Sequence, residues 1–345
     1  MTANPENVLP RANGLDAAQA SAAPRSLRRW LLSLSLNDWL TLAYLGMLNC
    51  AVLSSAESSA RDRVLAQVAS LLVVFTTVVL GLVRTNILTH PILCPLAFRL
   101  SHYGGIQLTY FFMRGLLPIV NPGSIDRELH QLGLALFGIE PALALEQYVS
   151  SGTTEWFAFF YYGYFFVLAL HVIPIIFFSR DPRILSEFAL GLLIVMSVGQ
   201  SLYLVVPGYG PWKGMPDLFT RALPPGVWWN VVINLVASAG AYKDIFPSLH
   251  TAAPTFILLF SFHNRAQLPY RFTWPLVAFF SFNIIIATMF LRWHWLVDIV
   301  AGLMLALLAY VVGVVGSRWE AGHRRRHGLP PAWPEWPRRG DSAAI

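Results

Sequence analysis

Apolar residues in this chain come in long runs broken by short polar stretches, a pattern that predicts helices. The runs predict apolar helices at about 39–56, 64–84, 94–119, 154–178, 184–206, 249–263, 272–292 and 294–316. Several approach the roughly 20 residues that a helix needs to cross the hydrocarbon core of a bilayer. Arg99, His102, Gly104 and Gly105 interrupt the third run, which predicts a tilted or partly interfacial helix. Between the third and fourth runs, Ile125, Leu129, Leu132 and Leu136 recur at helical spacing within 124–137. That stretch predicts a short amphipathic helix lying on the membrane surface. Residues 121–153 and 207–248 otherwise read as connecting loops, and no repeat of fixed period is present.

Composition sharpens this into an all-α, polytopic membrane helical bundle. The chain is 56% hydrophobic and only 12% charged, against roughly 25% charged in soluble domains. Mean hydropathy is +0.55. A soluble enzyme is thereby disfavoured. Net charge is +6, but of the 24 basic residues only Lys213 and Lys243 are lysine, and the arginines cluster at segment ends. Such clustering reads as topology determination, so no nucleic acid is expected as a partner. Arg25, Arg28, Arg29, Arg84, Arg180, Arg183, Arg265, Arg271, Arg318 and Arg324–Arg326 fall on one side if eight helices alternate. The positive-inside rule makes that side and both termini cytoplasmic. Residues 1–24 read as a disordered tail, with no signal-peptide pattern at Met1, and 318–345 as a basic, Pro-rich cytoplasmic tail. Cys50 and Cys94 lack the spacing of a disulfide framework or a thiolate metal site. The alanine-rich, arginine-heavy ends suggest a GC-rich bacterial gene, so the expected location is a bacterial inner membrane.

Ionisable residues at the ends of apolar runs are costly, and hence functional candidates. Two segments stand out, Phe246-Pro-Ser-Leu-His250 and Arg292-Trp-His-Trp-Leu-Val-Asp298. His294 and Asp298 are four residues apart, on one helix face about 6 Å from each other. A carboxylate there fixes the imidazole tautomer and raises its basicity, which suits a nucleophile. Ser248 occupies an N-cap position, where free N–H groups and the helix dipole favour an anion such as a lipid phosphate. His250, in the first turn, can protonate a leaving oxygen. Arg292 can neutralise charge growing on phosphoryl oxygens. Lys213, in Pro207-Gly-Tyr-Gly-Pro-Trp-Lys213, is a second phosphate-contact candidate and Arg114 a third. Both histidine segments fall on the outer side of the eight-helix topology, at one depth, as a composite site requires. Lys243 beside Asp244 reads as an ordinary loop ion pair. His171 reads as packing and His263 as facing headgroups, while His90, His102 and His130 show no constellation. The aromatic stretch 156–166 reads as interfacial belt.

These residues resemble the type 2 phosphatidic acid phosphatase superfamily of membrane lipid phosphatases and phosphotransferases. Its second signature, Pro-Ser-x-His, is met by Pro247, Ser248 and His250. Its third ends in His-x-x-x-Asp, met by His294 and Asp298 and followed by Ala301-Gly302. The resemblance implies a six-helix phosphatase-like core, no metal or other cofactor, His294 as nucleophile oriented by Asp298, and His250 as acid/base. The first signature, Lys, six residues, then Arg-Pro, is absent; where the third commonly carries an arginine, this chain has Thr288. Both departures are similar to the branch containing inositol phosphorylceramide synthases. So are Pro207…Gly210-Pro211-Trp212 and Asp126…Leu136-Phe-Gly138-Ile-Glu-Pro141.

The domain expectation is therefore N-terminal membrane helices over 25–93, about two beyond the core, then a phosphatase/phosphotransferase core over 94–317. The expected function is a lipid phosphotransferase working through a phosphohistidine at the outer face, with a phospholipid donor and a lipid alcohol acceptor. With water as acceptor it is a lipid phosphate phosphatase instead. A lipid transporter whose histidines relay protons is a further reading, disfavoured by the lack of repeated halves.

Overall fold

The computed structural model describes residues 27–55 and 60–336; the segment 1–24 and the end of the tail, 337–345, lie outside the described residues. Among the described residues the elements are helical, with one isolated bridge between Gly208 and Asp244. In chain order they are α1 (Leu27–Ser33), α2 (Leu36–Ser55), α3 (Ala60–Arg84), α4 (Leu93–Arg99) and α5 (Gly105–Val120). Then come α6 (Asp126–Phe137), α7 (Pro141–Ala144), α8 (Ser151–Val172), α9 (Pro182–Val205) and α10 (Pro211–Gly214). The last four are α11 (Val227–Ala239), α12 (Leu249–His263), α13 (Tyr270–Phe290) and α14 (Leu296–Arg326). A π-helical turn, Leu100–Gly104, joins α4 to α5 where the third apolar run is interrupted, and Ile173–Phe178 extends α8. Five helices, α3, α8 with its extension, α9, α13 and α14, are long and apolar enough to cross a membrane. The chain is an integral membrane protein built as an all-α bundle.

At the centre stands α9, mostly buried, with buried apolar residues on every side, as an enclosed helix requires. It packs against α14, α12, α2 and α5, while α8 and α13 close the far side of α12. Outward faces carry Phe166, Leu170, Phe272, Phe282, Met304 and Leu307, all exposed. Lipid tails are as apolar as these side chains, so burying them gains nothing; close backbone approach holds the helices together instead. A Cβ on Gly313 would lie 2.8 Å from the Glu187 carbonyl and 3.1 Å from the Gly191 backbone. The crossing of α9 and α14 therefore requires that glycine.

Opposite the histidines, buried charges tie the helix ends together. The Asp38 carboxylate accepts from Arg84 Nε at 2.7 Å and lies 3.1 Å from His102 Nε2. Glu187, buried, accepts from Arg318 Nε at 2.8 Å. His102 thus belongs to a buried ionic network that its sequence neighbourhood does not reveal.

The last helix runs on to Arg326 rather than stopping near 316. Beyond it the chain folds back. Trp333 is buried against Phe98 and His102, with ring centroids at 5.2 and 5.3 Å. Arg84 donates to the Pro331 and Ala332 carbonyls, and Arg99 to Pro334. Residues 318–336 are thus part helix and part packed strap, which the Arg84 and Arg99 guanidinium groups hold by its carbonyls.

The stretch read as an outer loop, 207–248, contains α11, too short to cross and therefore missed as an element. Its N-terminus is capped by another helix: Glu155 accepts from Trp228 N and Trp229 N at 3.0 and 2.9 Å. In α6 the buried face is Asp126, Leu129, His130 and Gly133, while Leu132 and Leu136 point outward. The expected apolar stripe is therefore split between the protein and its surroundings.

Gly313→Ala should lower the thermal unfolding midpoint in detergent by the equivalent of about 1–3 kcal/mol, the usual cost of overpacking. Gly81→Ala, with nothing within 4 Å of the added Cβ, should be neutral or stabilising by up to about 1 kcal/mol. Equal effects in the two would show that close backbone approach does not hold this crossing.

Candidate active site

His294 stands in the break between α13 and α14. The Thr288 carbonyl ends α13 by accepting from both Trp293 N and His294 N, at 2.9 and 3.2 Å. This closure needs Arg292 in the left-handed region, at φ 65°, where a helix C-terminus usually places glycine. The sequence predicts two helices almost abutting here; the structure opens 291–295 as the turn from which His294 reaches inward. Asp298 then starts α14. Its Oδ2 accepts from Trp295 N at 2.8 Å, the reciprocal arm of a capping box. The same oxygen lies 3.5 Å from His294 Nδ1. One carboxylate thus begins the helix and backs the imidazole.

His250 comes from the start of α12. Ser248 Oγ accepts from Thr251 N at 3.2 Å as the helix N-cap, and Ser248 N donates to the Asp298 carbonyl at 3.0 Å. A Cβ on Gly302 would lie 2.6 Å from the Ser248 carbonyl, so only glycine lets the two helix starts meet. The His250 ring stacks on Tyr161 at 4.3 Å and on Tyr164 at 4.1 Å. Its centroid is 6.4 Å from that of His294. Both histidines line one small polar cavity of about 50 Å³ with Lys213, Asp244, Tyr209 and Trp212.

Lys213 arrives on the 207–214 loop, which Asp126 fastens. The Asp126 carboxylate accepts from Tyr209 N and Gly210 N, both at 2.8 Å, and from Trp295 Nε1 at 3.1 Å. Gly210 sits at φ 74°, and a Cβ there would come within 2.1 Å of the Trp293 carbonyl oxygen. Trp212 N donates to the Arg292 carbonyl at 2.7 Å. The loop is therefore bonded directly to the turn that carries His294. Lys213 Nζ lies 4.7 Å from the ring centres of Tyr209 and Tyr242 and makes no ion pair among the described residues.

The structure thus brings together His250, His294, Asp298, Ser248 and Lys213, but not Arg292 or Arg114. Arg292 donates to the Arg221 carbonyl at 2.6 Å, approaches Glu146 Oε1 at 3.4 Å and covers the Phe219 ring. Its left-handed backbone turns the side chain toward the 219–221 segment. Arg114 donates to the Ala237 carbonyl and lies over the Tyr242 ring at 4.4 Å. Both are engaged in holding the loops around the histidine cavity. Ser248 is fully buried and engaged as a cap.

The expected ion pair of Lys243 with Asp244 does not form. Lys243 Nζ donates to the carbonyls of Asn121, Pro122 and Gly123 at 2.9, 2.8 and 2.7 Å, using all three ammonium donors. Asp244 instead accepts from Tyr110 Oη at 2.9 Å and faces the histidine cavity. Burial pushes its carboxyl above the ordinary range, against the pull of Tyr110 and His294. Sequence reading missed it as a site residue; the signal was a carboxylate three residues before Pro247.

Beneath Asp298 lies Glu140, the N-cap of α7, buried, with Oε2 lacking a hydrogen-bond partner among the described residues. Burial pushes its carboxyl up to about 7, opposed by the Ala142 and Leu296 N–H groups and reinforced by Asp298.

Bundle and site together define a membrane protein with a paired-histidine centre. Residues 127–312, over half of the chain, match the model of the PAP2 superfamily, and the chain belongs to that superfamily. Its members are phosphatases or phosphotransferases, which makes this chain an enzyme of lipid phosphatase or phosphotransferase type. No curated protein and no solved structure matches the chain.

Asp126→Asn leaves at least one of three buried donors without its acceptor, a loss of about 1–3 kcal/mol. Turnover should fall at least tenfold while far-UV circular dichroism stays helical; unchanged turnover would show that the loop is held otherwise. For Glu140, a folded pKa of about 7 against the ordinary 4.5 means that the native state binds the proton more tightly. Stability then falls as pH rises from about 4.5 to about 7 and stays lower above that. Glu140→Gln should raise the unfolding midpoint above pH 7, by up to about 3 kcal/mol in stability, and leave it unchanged near pH 4.

Proposed function

We propose that the chain is a lipid phosphotransferase that moves a phosphoryl or phospho-head group through a phosphohistidine on His294. The observation that carries this reading is the pair of imidazoles with centroids 6.4 Å apart in one cavity, one of them backed by a carboxylate at 3.5 Å. Asp298 faces Nδ1 of His294, which leaves Nε2 as the attacking atom. Attack on phosphorus breaks the ester to the donor's leaving oxygen, and His250 supplies the proton that this oxygen needs. Lys213, the cation of the shared cavity, offsets charge on the non-bridging oxygens. An acceptor hydroxyl then attacks phosphorus, the P–N bond breaks, and His250 takes the hydroxyl proton. These steps need no metal.

A lipid acceptor is favoured over water by a second cavity of about 340 Å³, walled mainly by apolar side chains such as Leu168, Val172 and Met196. It reaches the site at His250 and gives a lipid chain somewhere to lie. The missing first signature and the Pro207–Trp212 and Asp126–Pro141 stretches support the inositol phosphorylceramide synthase-like branch. The arginine-rich end, opposite the histidines, is assigned to the cytoplasm, which puts the site at the periplasmic face of a bacterial inner membrane.

Purified protein incubated with candidate phospholipids and ceramide or diacylglycerol should yield a new phospholipid by mass spectrometry, in the presence of chelator as in its absence. His294→Ala should lower the rate by about 10⁴-fold or more and Asp298→Asn by at least about 10²-fold. Free phosphate without a transfer product makes the enzyme a phosphatase. Unchanged turnover in His294→Ala would overturn the nucleophile.

A further inference from the structure

The proposed transfer reaction uses both histidines, but not the carboxylate between them. Tyr110, Asp244 and His250 line both the polar cavity and the apolar one, so they form the neck where the two meet. On one side stand His294 and Lys213; on the other the apolar cavity descends between α5, α8 and α9. A lipid with its chain in the apolar cavity and its reacting oxygen at His294 has to pass Asp244.

A carboxylate beside a phosphate-transfer centre is unfavourable on charge grounds. Phosphate offers it no donor and repels it. Lys243, the adjacent cation, is fully occupied by three carbonyls. A carboxylate has room for about four hydrogen bonds; among the described residues Asp244 receives Tyr110 Oη and its own backbone N–H. The Tyr110 bond fixes the orientation and leaves capacity directed at the neck. The attacking hydroxyl has one proton, which goes to His250, so the donor that fills this capacity must be a different group of the same lipid.

We infer that Asp244, held by Tyr110, selects acceptor lipids that carry a second hydrogen-bond donor, a hydroxyl or amide N–H, beside the reacting hydroxyl. This rests on the two-histidine transfer reaction proposed above and adds its acceptor specificity. An acceptor lacking that donor leaves a half-buried carboxylate unpaired, which is how polar sites reject analogues. Ceramide, with a second hydroxyl and an amide N–H, has the required chemistry. Diacylglycerol, whose other oxygens are esters, lacks it.

The test uses full-length protein in vesicles containing phosphatidylinositol or phosphatidic acid as donor, with fluorescent ceramide or fluorescent diacylglycerol as acceptor. The measured quantity is the ratio of kcat/KM for the two acceptors. Wild type should favour ceramide at least tenfold. Asp244→Ala should reduce that ratio at least tenfold, and Tyr110→Phe should reduce it in the same direction by a smaller factor. Because a ratio is read, a general loss of rate does not mimic the result. Wild type without preference, an unchanged ratio in both variants, or both variants losing all transfer overturns the inference alone. No His294-dependent transfer by wild type to either acceptor overturns the proposed function and this inference with it.

Discussion

The site rests on one backbone contact, the hydrogen bond from Ser248 N to the Asp298 carbonyl over Gly302. It joins the first turns of two helices that the sequence separates by a hairpin of membrane length. On one side of the bond, Ser248 caps the helix bearing His250; on the other, Asp298 starts its helix and backs His294. Secondary structure and chemistry are thus set by the same atoms. A shift of either helix start would separate the imidazoles and uncap a helix at once.

Around that contact, Asp126 does for the neighbouring loops what Asp298 does for the helix. It gathers two backbone N–H groups of the 207–214 loop and the indole of Trp295, next to His294. Gly210 lets the loop pass within reach of the Trp293 carbonyl. The helix α6, the Lys213 loop and the His294 turn are therefore bonded to one another. Buried polar groups are costly unless paired, and Asp126 and Lys243 are both paired with backbone groups. Asp244 stands apart, with a single side-chain donor and a view of both cavities.

The two ends of the bundle use charge differently. Away from the histidines, Asp38, Glu187, Arg84, Arg99 and Arg318 are committed to one another or to carbonyls. At the histidine end, Lys213 is left without a carboxylate partner among the described residues, over two aromatic rings. Cation–π contact holds an ammonium without neutralising it, so its charge stays available to an anion.

Helices of membrane length, the Pro-Ser-x-His and His-x-x-x-Asp pairs and the superfamily they mark were legible in the sequence, because period, length and short spacing are local properties. So was the capping position of Ser248. Five features were not. Arg292 and Lys243 read as site and loop charges by proximity in sequence, yet a left-handed residue and three converging carbonyls redirect them. The short apolar helix α11 was hidden within a loop by its length, and the tail's Trp333 by a polar neighbourhood. Asp244 reads as a loop charge, yet it lines the histidine cavity beside Tyr110, which α5 brings to it. Local sequence determines which segments are helical and which groups can react; where a long side chain spends its charge depends on partners supplied by distant segments, and only the tertiary structure decides that.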